Sequence, residues 1–314
     1  MGRQIVVMFP VPKLVLEALS TLYYIYYCPQ LSDRETFYQT SHSDVVAALT
    51  NGTQGITAFE INQLPNLRII GAFGAGFENI DVEAARSKGI VVTHGPGTNS
   101  KAVADHAMAL LLAVSRHIVP MHERVQHGGW DVFNMRWPSV YGKRLGIMGF
   151  GRIGMEIAKR AVGFDLEIGY HNRSERSDVT YSYFGDLPAL AKWCDYLVCA
   201  SPGGGSTRNA INAQVLQNLG SDGVLVNIGR GSIVDTEALV KALKTGIIAG
   251  AGLDVIEGEP DVPKSVIGLK NLTMTPHIAG NCPEAVIAKQ ELFMKNLELC
   301  LDGYPPLTPV PEKL

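Results

Sequence analysis

The strongest constraint on this chain lies near its middle, where Leu145-Gly146-Ile147-Met148 runs into Gly149-Phe150-Gly151-Arg152-Ile153-Gly154 and then Met155-Glu156-Ile157-Ala158. A short apolar run, glycines spaced G-x-G-x-x-G and a segment of helical periodicity are the strand, tight turn and helix start that cradle a pyrophosphate. Gly149 permits the turn, Gly151 lets the backbone approach the phosphates, and Gly154 lets the helix pack closely on its strand. The helix start supplies N–H groups and a positive dipole end. A dinucleotide site is expected here, formed around Gly149, Phe150, Gly151, Arg152, Ile153 and Gly154.

Strand and helix patterns alternate on both sides of this motif, which implies parallel sheets with crossover helices. In the first hundred residues the patterns predict strands over 5–8, 23–27, 55–58, 67–73 and 90–93. Helices are expected over 13–22 and, capped by Ser43, over 43–49. A long apolar helix follows over 102–116. Beyond it, six strands are expected, over 145–148, 167–170, 196–199, 223–227, 249–253 and 272–274, with a helix over 232–243 among the connections. A chain of 314 residues exceeds one hydrophobic core. The expectation is an α/β protein of two Rossmann-like, doubly wound parallel-sheet domains with an interdomain cleft. Pro96-Gly97 marks a crossing, and the last helix, over 283–302, has no second-domain sheet left to cover and is expected back on the first domain. The substrate domain is thus 1–98 plus 282–314, and the dinucleotide-binding domain 99–281.

Composition removes several classes of function. Net charge is −3 with 18% charged residues, so no basic excess exists to neutralise a phosphate backbone, and nucleic acid is not an expected partner. No run reaches the ~18 apolar residues of a membrane span, and the N-terminus opens directly into a strand without a signal-peptide pattern, so membrane association is not expected and the cytoplasm is. Five cysteines without C-x-x-C pairing read as reduced thiols, with neither a disulfide framework nor a metal site.

Three later stretches lie just beyond the carboxyl ends of predicted strands, the side on which the glycine turn places its ligand. Val226-Asn227-Ile228-Gly229-Arg230-Gly231 sets an arginine between glycines, where a guanidinium can grip a carboxylate in bidentate fashion. Gly252-Leu253-Asp254 continues to Glu259-Pro260, and Thr275-Pro276-His277-Ile278-Ala279-Gly280 brings a histidine to a strand end. Glu259 against His277 would hold an imidazolium able to donate a proton, while Arg230 would anchor a 2-oxo acid and polarise its carbonyl. Hydride from a nicotinamide then completes a reduction. In the first domain the Gly74-Ala75-Gly76 turn can offer the N–H groups of Ala75 and Gly76 to the substrate carboxylate. Phe59 and the turn from Phe73 to Phe77 are expected to line the pocket.

On Gly149 to Gly154, Asn227 to Gly231, Gly252 to Val255 with Glu259-Pro260, and Pro276-His277-Ile278, the chain resembles the D-2-hydroxyacid dehydrogenase family over essentially its whole length, and most its glyoxylate/hydroxypyruvate and hydroxyphenylpyruvate reductase branch. The resemblance implies Arg230, Glu259 and His277 as catalytic residues and Asp254 as a cofactor-side aspartate. With the strand-end loops it implies a cofactor surface that also takes in Ser201, Pro202, Thr207, Ile228, Gly229 and Gly280. It further implies a homodimer built through the cofactor domains, with the loop around Trp137 reaching the neighbouring active site. Two stretches depart from the family pattern. Ala200 to Thr207 carries three consecutive glycines where many relatives have His-x-Pro-Leu-Thr, which suggests a mobile loop, and Asp105 stands where glutamate is common.

The adenosine ribose is read at the end of the second strand of the cofactor domain, where an acid about 20 residues beyond the glycines selects NAD. Here Tyr170 is followed by His171-Asn172-Arg173-Ser174-Glu175-Arg176, with no acid in the first positions. Arg173 can lie against a 2'-phosphate, Asn172 and Ser174 can donate hydrogen bonds to it, and Arg176 adds charge, so NADP(H) is expected in preference to NAD(H). Glyoxylate and hydroxypyruvate fit the anchors, as do larger 2-oxo acids such as hydroxyphenylpyruvate or 2-ketogluconate. Two competing readings are formate or phosphite oxidation, against which Glu259 speaks because the formate branch has glutamine there, and a nicotinamide-sensing, corepressor-like binding protein.

Overall fold

The computed structural model describes residues 2–130 and 138–312. The chain forms two compact units, Met1–Asn99 with Cys282–Leu314, and Ser100–Asn281.

In the first unit β1 (Gln4–Val7), α1 (Lys13–Ser20), β2 (Tyr24–Tyr27), α2 (Leu31–Phe37), β3 (Val45–Thr50), α3 (Ala58–Asn62), β4 (Ile69–Ala72), α4 (Val82–Ser87) and β5 (Val91–Thr93) follow in order. Their sheet runs β2-β1-β3-β4-β5, parallel throughout. Two expectations are corrected here. Residues 43–49 are no helix: Val45–Thr50 is the middle strand, pairing with β1 and β4 and almost wholly buried. A continuous apolar run of this length is what a strand covered on both faces requires, and periodicity does not distinguish it from a buried helix. Residues 55–58 are no strand: Ile56 makes a single bridge to Ile80, and Thr57 caps α3 in a reciprocal capping box with Glu60.

The second unit holds α5 (Ser100–Ser115), α6 (Ile118–Gln126), β6 (Arg144–Met148), α7 (Arg152–Val162), β7 (Glu167–His171), β8 (Ser182–Tyr183), α8 (Leu187–Trp193), β9 (Tyr196–Cys199), α9 (Ala213–Leu219), β10 (Val224–Asn227), α10 (Thr236–Thr245), β11 (Gly250–Leu253) and β12 (Leu272–Met274). The sheet has seven strands rather than the expected six, in the parallel order β12-β11-β10-β9-β6-β7-β8. The added strand is the two-residue β8. The helix expected over 232–243 begins at Thr236, because Asp235 accepts the N–H of Ala238 and caps it there. Helices cover both faces, with Leu111 of α5 and Ile157 of α7 in one core and Leu190, Leu216 and Leu239 in the other. Strand order reverses between β6 and β9, and open α/β sheets bind ligands outside the strand ends at such a point.

The last helix, α11 (Pro283–Leu301), belongs to the first unit, where Phe293 lies so close over β4 that a β-carbon on Gly71 would meet its ring at 2.3 Å. All five cysteines are free thiols. No single helix among the described residues is long and apolar enough to cross a bilayer. Trp137 lies outside the described residues.

Candidate active site

The glycine turn occupies the reversal point. Gly149 has φ +92 and a β-carbon there would sit 2.6 Å from Ser201 N, so both conformation and the adjoining loop after β9 exclude a side chain. At Gly154 a β-carbon would meet Gly149 O at 2.5 Å, which is the close helix-on-strand packing the motif predicts. Gly151 differs: nothing lies within 4 Å of where its β-carbon would be, and the first intrahelical bond of α7 runs from Met155 N–H to Gly151 O. The positive end of the helix dipole therefore opens onto clear space, an arrangement that fits a dinucleotide pyrophosphate. Arg152 is exposed on this first turn and Ile153 half-buried.

Phe150, expected among the cofactor contacts, also braces the turn. Its side chain is buried, packed on Tyr170 and Tyr181, and its N–H donates to Asn172 Oδ1 at 2.7 Å while its carbonyl accepts from Arg176 Nη1 at 3.0 Å. Asn172 thus uses its oxygen to hold the glycine turn. Arg176 is also committed: it pairs with both oxygens of Asp178, which offsets its charge. Arg173, Ser174 and Glu175 are exposed beyond the end of β7, and Arg173 has no acidic partner among the described residues.

The next three loops are pressed together by glycines. A β-carbon on Gly229 would lie 2.6 Å from Ser201 O, and one on Gly231 2.0 Å from Ile256 C, so the loop after β10 is wedged between the loops after β9 and β11. That wedge explains an arginine between glycines, for it places Arg230 near Glu259. Arg230 Nη1 donates to Gly229 O at 2.8 Å, and Asn227, fully buried, ties the turn by accepting Gly229 N–H and donating to Arg230 O. Ile228 is buried in the core beneath. The glycines at 203–205 form a hydrogen-bonded turn. Thr207 closes it, donating its hydroxyl to Pro202 O and its N–H to Gly204 O, and a β-carbon on Gly203 would lie 3.0 Å from Arg230 Cγ.

His277 and Glu259 meet at 2.6 Å, Nδ1 to Oε1. A carboxylate only accepts, so Nδ1 carries the proton and Nε2 is left for other chemistry. Burial pushes the Glu259 carboxyl up, but the hydrogen bond and charge of His277, the Ile256 N–H and the Arg230 charge together bring it below its ordinary value. Glu259 therefore remains a carboxylate behind the imidazole at neutral pH.

Asp254 has work that the sequence did not show. It is 2% exposed, and its two oxygens accept from Ile278 N–H and Ala279 N–H at 2.9 Å each and from Thr275 Oγ1 at 2.6 Å. His277 N–H donates to Asp254 O at 2.8 Å. Together these bonds hold His277 at φ +53, a left-handed conformation that costs a non-glycine residue ~1–3 kcal/mol unless its surroundings impose it. Gly280 follows directly in this turn.

In the first unit, the loop after β4 is shaped by its carbonyls. Gly74 O accepts Gly95 N–H at 2.6 Å and Ala75 O pairs with His94 Nδ1 at 2.9 Å. Among the described residues the N–H groups of Ala75 and Gly76 donate to no acceptor, as an anion nest requires. Gly52, unremarked in the sequence, abuts Gly76 so closely that a β-carbon would lie 2.6 Å from Gly76 C. Phe59 is 65% exposed on α3, whereas Phe73 is buried against Phe9.

Residues 108–279 match the family model described as D-isomer specific 2-hydroxyacid dehydrogenase, NAD binding domain. The chain is 39% identical over 285 residues to a hydroxyphenylpyruvate reductase of Plectranthus scutellarioides, covering 90% of this chain and 91% of that one. It is also 39% identical over 279 residues to glyoxylate/hydroxypyruvate reductase A of Arabidopsis thaliana, covering 88% and 89%. Among solved structures, the NADPH-dependent glyoxylate/hydroxypyruvate reductase of Sinorhizobium meliloti in complex with NADP and malonate aligns at TM-score 0.87 and 34% identity, covering 99% of this chain and 97% of that one.

Proposed function

This chain belongs to the D-isomer specific 2-hydroxyacid dehydrogenase family, enzymes of nicotinamide-dependent hydride transfer, and from that premise we propose that it reduces small 2-oxo acids of the glyoxylate and hydroxypyruvate type to D-2-hydroxy acids with NADPH. The observation that carries the reading is the His277–Glu259 pair at 2.6 Å with Arg230 close enough to stabilise the same carboxylate. Arg230 holds the substrate carboxylate by its guanidinium fork and sets positive charge beside the carbonyl. His277 donates the Nε2 proton to the carbonyl oxygen, and Glu259 holds Nδ1–H so that the ring keeps its orientation and favours the imidazolium. A bound nicotinamide supplies the hydride for the carbonyl carbon. The Ala75 and Gly76 N–H groups fit a carboxylate of this substrate class.

Preference for NADPH rests on Arg173 and Ser174 at the end of β7, with no acid in the first positions after Tyr170, where it would repel a 2'-phosphate. Because Asn172 and Arg176 hold the glycine turn, Arg173 is the main cation left for that phosphate. Arg173→Ala is expected to lower kcat/KM for NADPH ~10- to 100-fold, the worth of a charge-assisted hydrogen bond, with little change for NADH. Equal losses with both cofactors would remove Arg173 from the 2'-phosphate.

The protein acts as a homodimer in this reading. Helix α6 has no buried residue, and Ile118, Val119 and Val125 on it, with Trp130 beyond it, are all exposed. An apolar strip on an uncovered helix fits a second copy of the same surface. Light scattering should give twice the chain mass for the wild type and one chain mass for Val119→Glu/Val125→Glu; a monomeric wild type would contradict the dimer.

A further inference from the structure

His106 takes no part in the chemistry above, yet α5 delivers it to the buried carboxylate that shapes the His277 loop. Two glycines on β11 make this delivery. A β-carbon at Gly250 would lie 2.7 Å from Val114 Cγ1, and one at Gly252 would lie 3.0 Å from Leu110 Cβ, so the helix rests directly on that strand face. Val114, Leu110 and His106 succeed one another along the helix at steps of ~6 Å, while Gly250, Gly252 and Asp254 do so along the strand line at steps of ~6.6 Å. The two rows stay in register, and His106 arrives over Asp254 at the carboxyl end of β11. There its Nε2 lies 2.8 Å from Thr275 Oγ1 and 3.5 Å from Asp254 Oδ1.

Counting donors fixes how the three are linked. Thr275 has one hydroxyl proton and donates it to Asp254 Oδ1, so its oxygen accepts from His106, whose Nε2 must carry the proton. Asp254 in turn accepts the N–H groups of Ile278 and Ala279, the two residues that follow His277. A chain of hydrogen bonds therefore runs from α5 to the left-handed turn on which the imidazole stands, and bonds in such a chain strengthen one another in a low-dielectric setting.

We propose that His106 is a positioning residue for His277: through Thr275 and Asp254 it fixes the turn that aims the imidazole, and with it the His277–Glu259 hydrogen bond, without touching substrate. Its effect on turnover rests on the proposed role of His277 as proton donor; its effect on the His277–Glu259 bond rests on geometry alone.

Proton NMR of the full chain separates the two. The Nδ1–H shared with Glu259 gives a resonance downfield of the amides, assigned by its loss in His277→Gln. His106→Phe is expected to move this resonance upfield or broaden it away, whereas His106→Gln, whose amide still donates to Thr275, retains it. In parallel, kcat falls roughly tenfold in His106→Phe at unchanged KM for NADPH and is regained in His106→Gln. An unchanged resonance in folded His106→Phe overturns the proposal whatever the activity, as does an equal loss in His106→Gln. A displaced resonance in a chain that reduces no 2-oxo acid supports the positioning role and overturns the reaction instead. Should His106→Phe fail to fold, Thr275→Val cuts the same link and is read in the same way.

Discussion

Replacing His277 by glutamine is expected to lower kcat for 2-oxo acid reduction ~10²- to 10⁴-fold, the usual worth of a positioned general acid, while NADPH still binds. The reason is local. His277 meets Glu259 at 2.6 Å through Nδ1, and only an imidazole can use that bond to present a proton at Nε2. A glutamine keeps a hydrogen-bonding side chain but has no proton to give at neutral pH. Steady-state kinetics with fluorescence titration of NADPH checks both halves, and a variant with nearly wild-type kcat would remove His277 from proton transfer. Glu259→Gln complements it. With the carboxylate gone the Nδ1–H loses its charged acceptor and the ring its fixed orientation, so kcat should fall ~10-fold or more while NADPH still binds.

Arg230→Ala is expected to cost ~10²- to 10³-fold in kcat/KM for the 2-oxo acid, comparable to removing a donor aimed at developing charge. Arg230→Lys should recover only part of this, because an ammonium supplies the charge without the planar fork that matches a carboxylate. The neighbouring Gly229 and Gly231 make the test interpretable: both backbones are in close contact with adjoining loops, so the turn stays in place when the side chain shortens. Losses confined to NADPH affinity, with the 2-oxo acid unaffected, would place Arg230 on the cofactor alone.

Much of this arrangement was legible in the sequence because glycines leave unambiguous marks. G-x-G-x-x-G and the Asn227 to Gly231 run each encode a close backbone approach that the structure contains. Segments whose identity depends on what covers them were harder. Val45 to Thr50 follows a Ser-Asp pair that resembles a helix cap, and only burial on both sheet faces makes it a strand. By contrast, Thr57 and Glu60 carried a capping-box spacing that marks the start of α3 and was there to be read. The roles of Phe150, Asn172 and Arg176 in bracing the glycine turn, and of His106 and Asp254 behind His277, depend on pairings across the fold. No spacing along the chain announces them. Phe59 and Phe73 show the same limit: both are aromatics near predicted strand ends, yet one is exposed and the other is core.

Reduction of small 2-oxo acids with a preference for NADPH is checked by measuring kcat/KM of the purified wild type for glyoxylate, hydroxypyruvate and hydroxyphenylpyruvate with NADPH and with NADH. Turnover of glyoxylate and hydroxypyruvate is expected, with NADPH favoured by roughly tenfold or more, as an arginine facing the 2'-phosphate implies. Preference for NADH, or no reduction of any of the three acids with either cofactor, would contradict it.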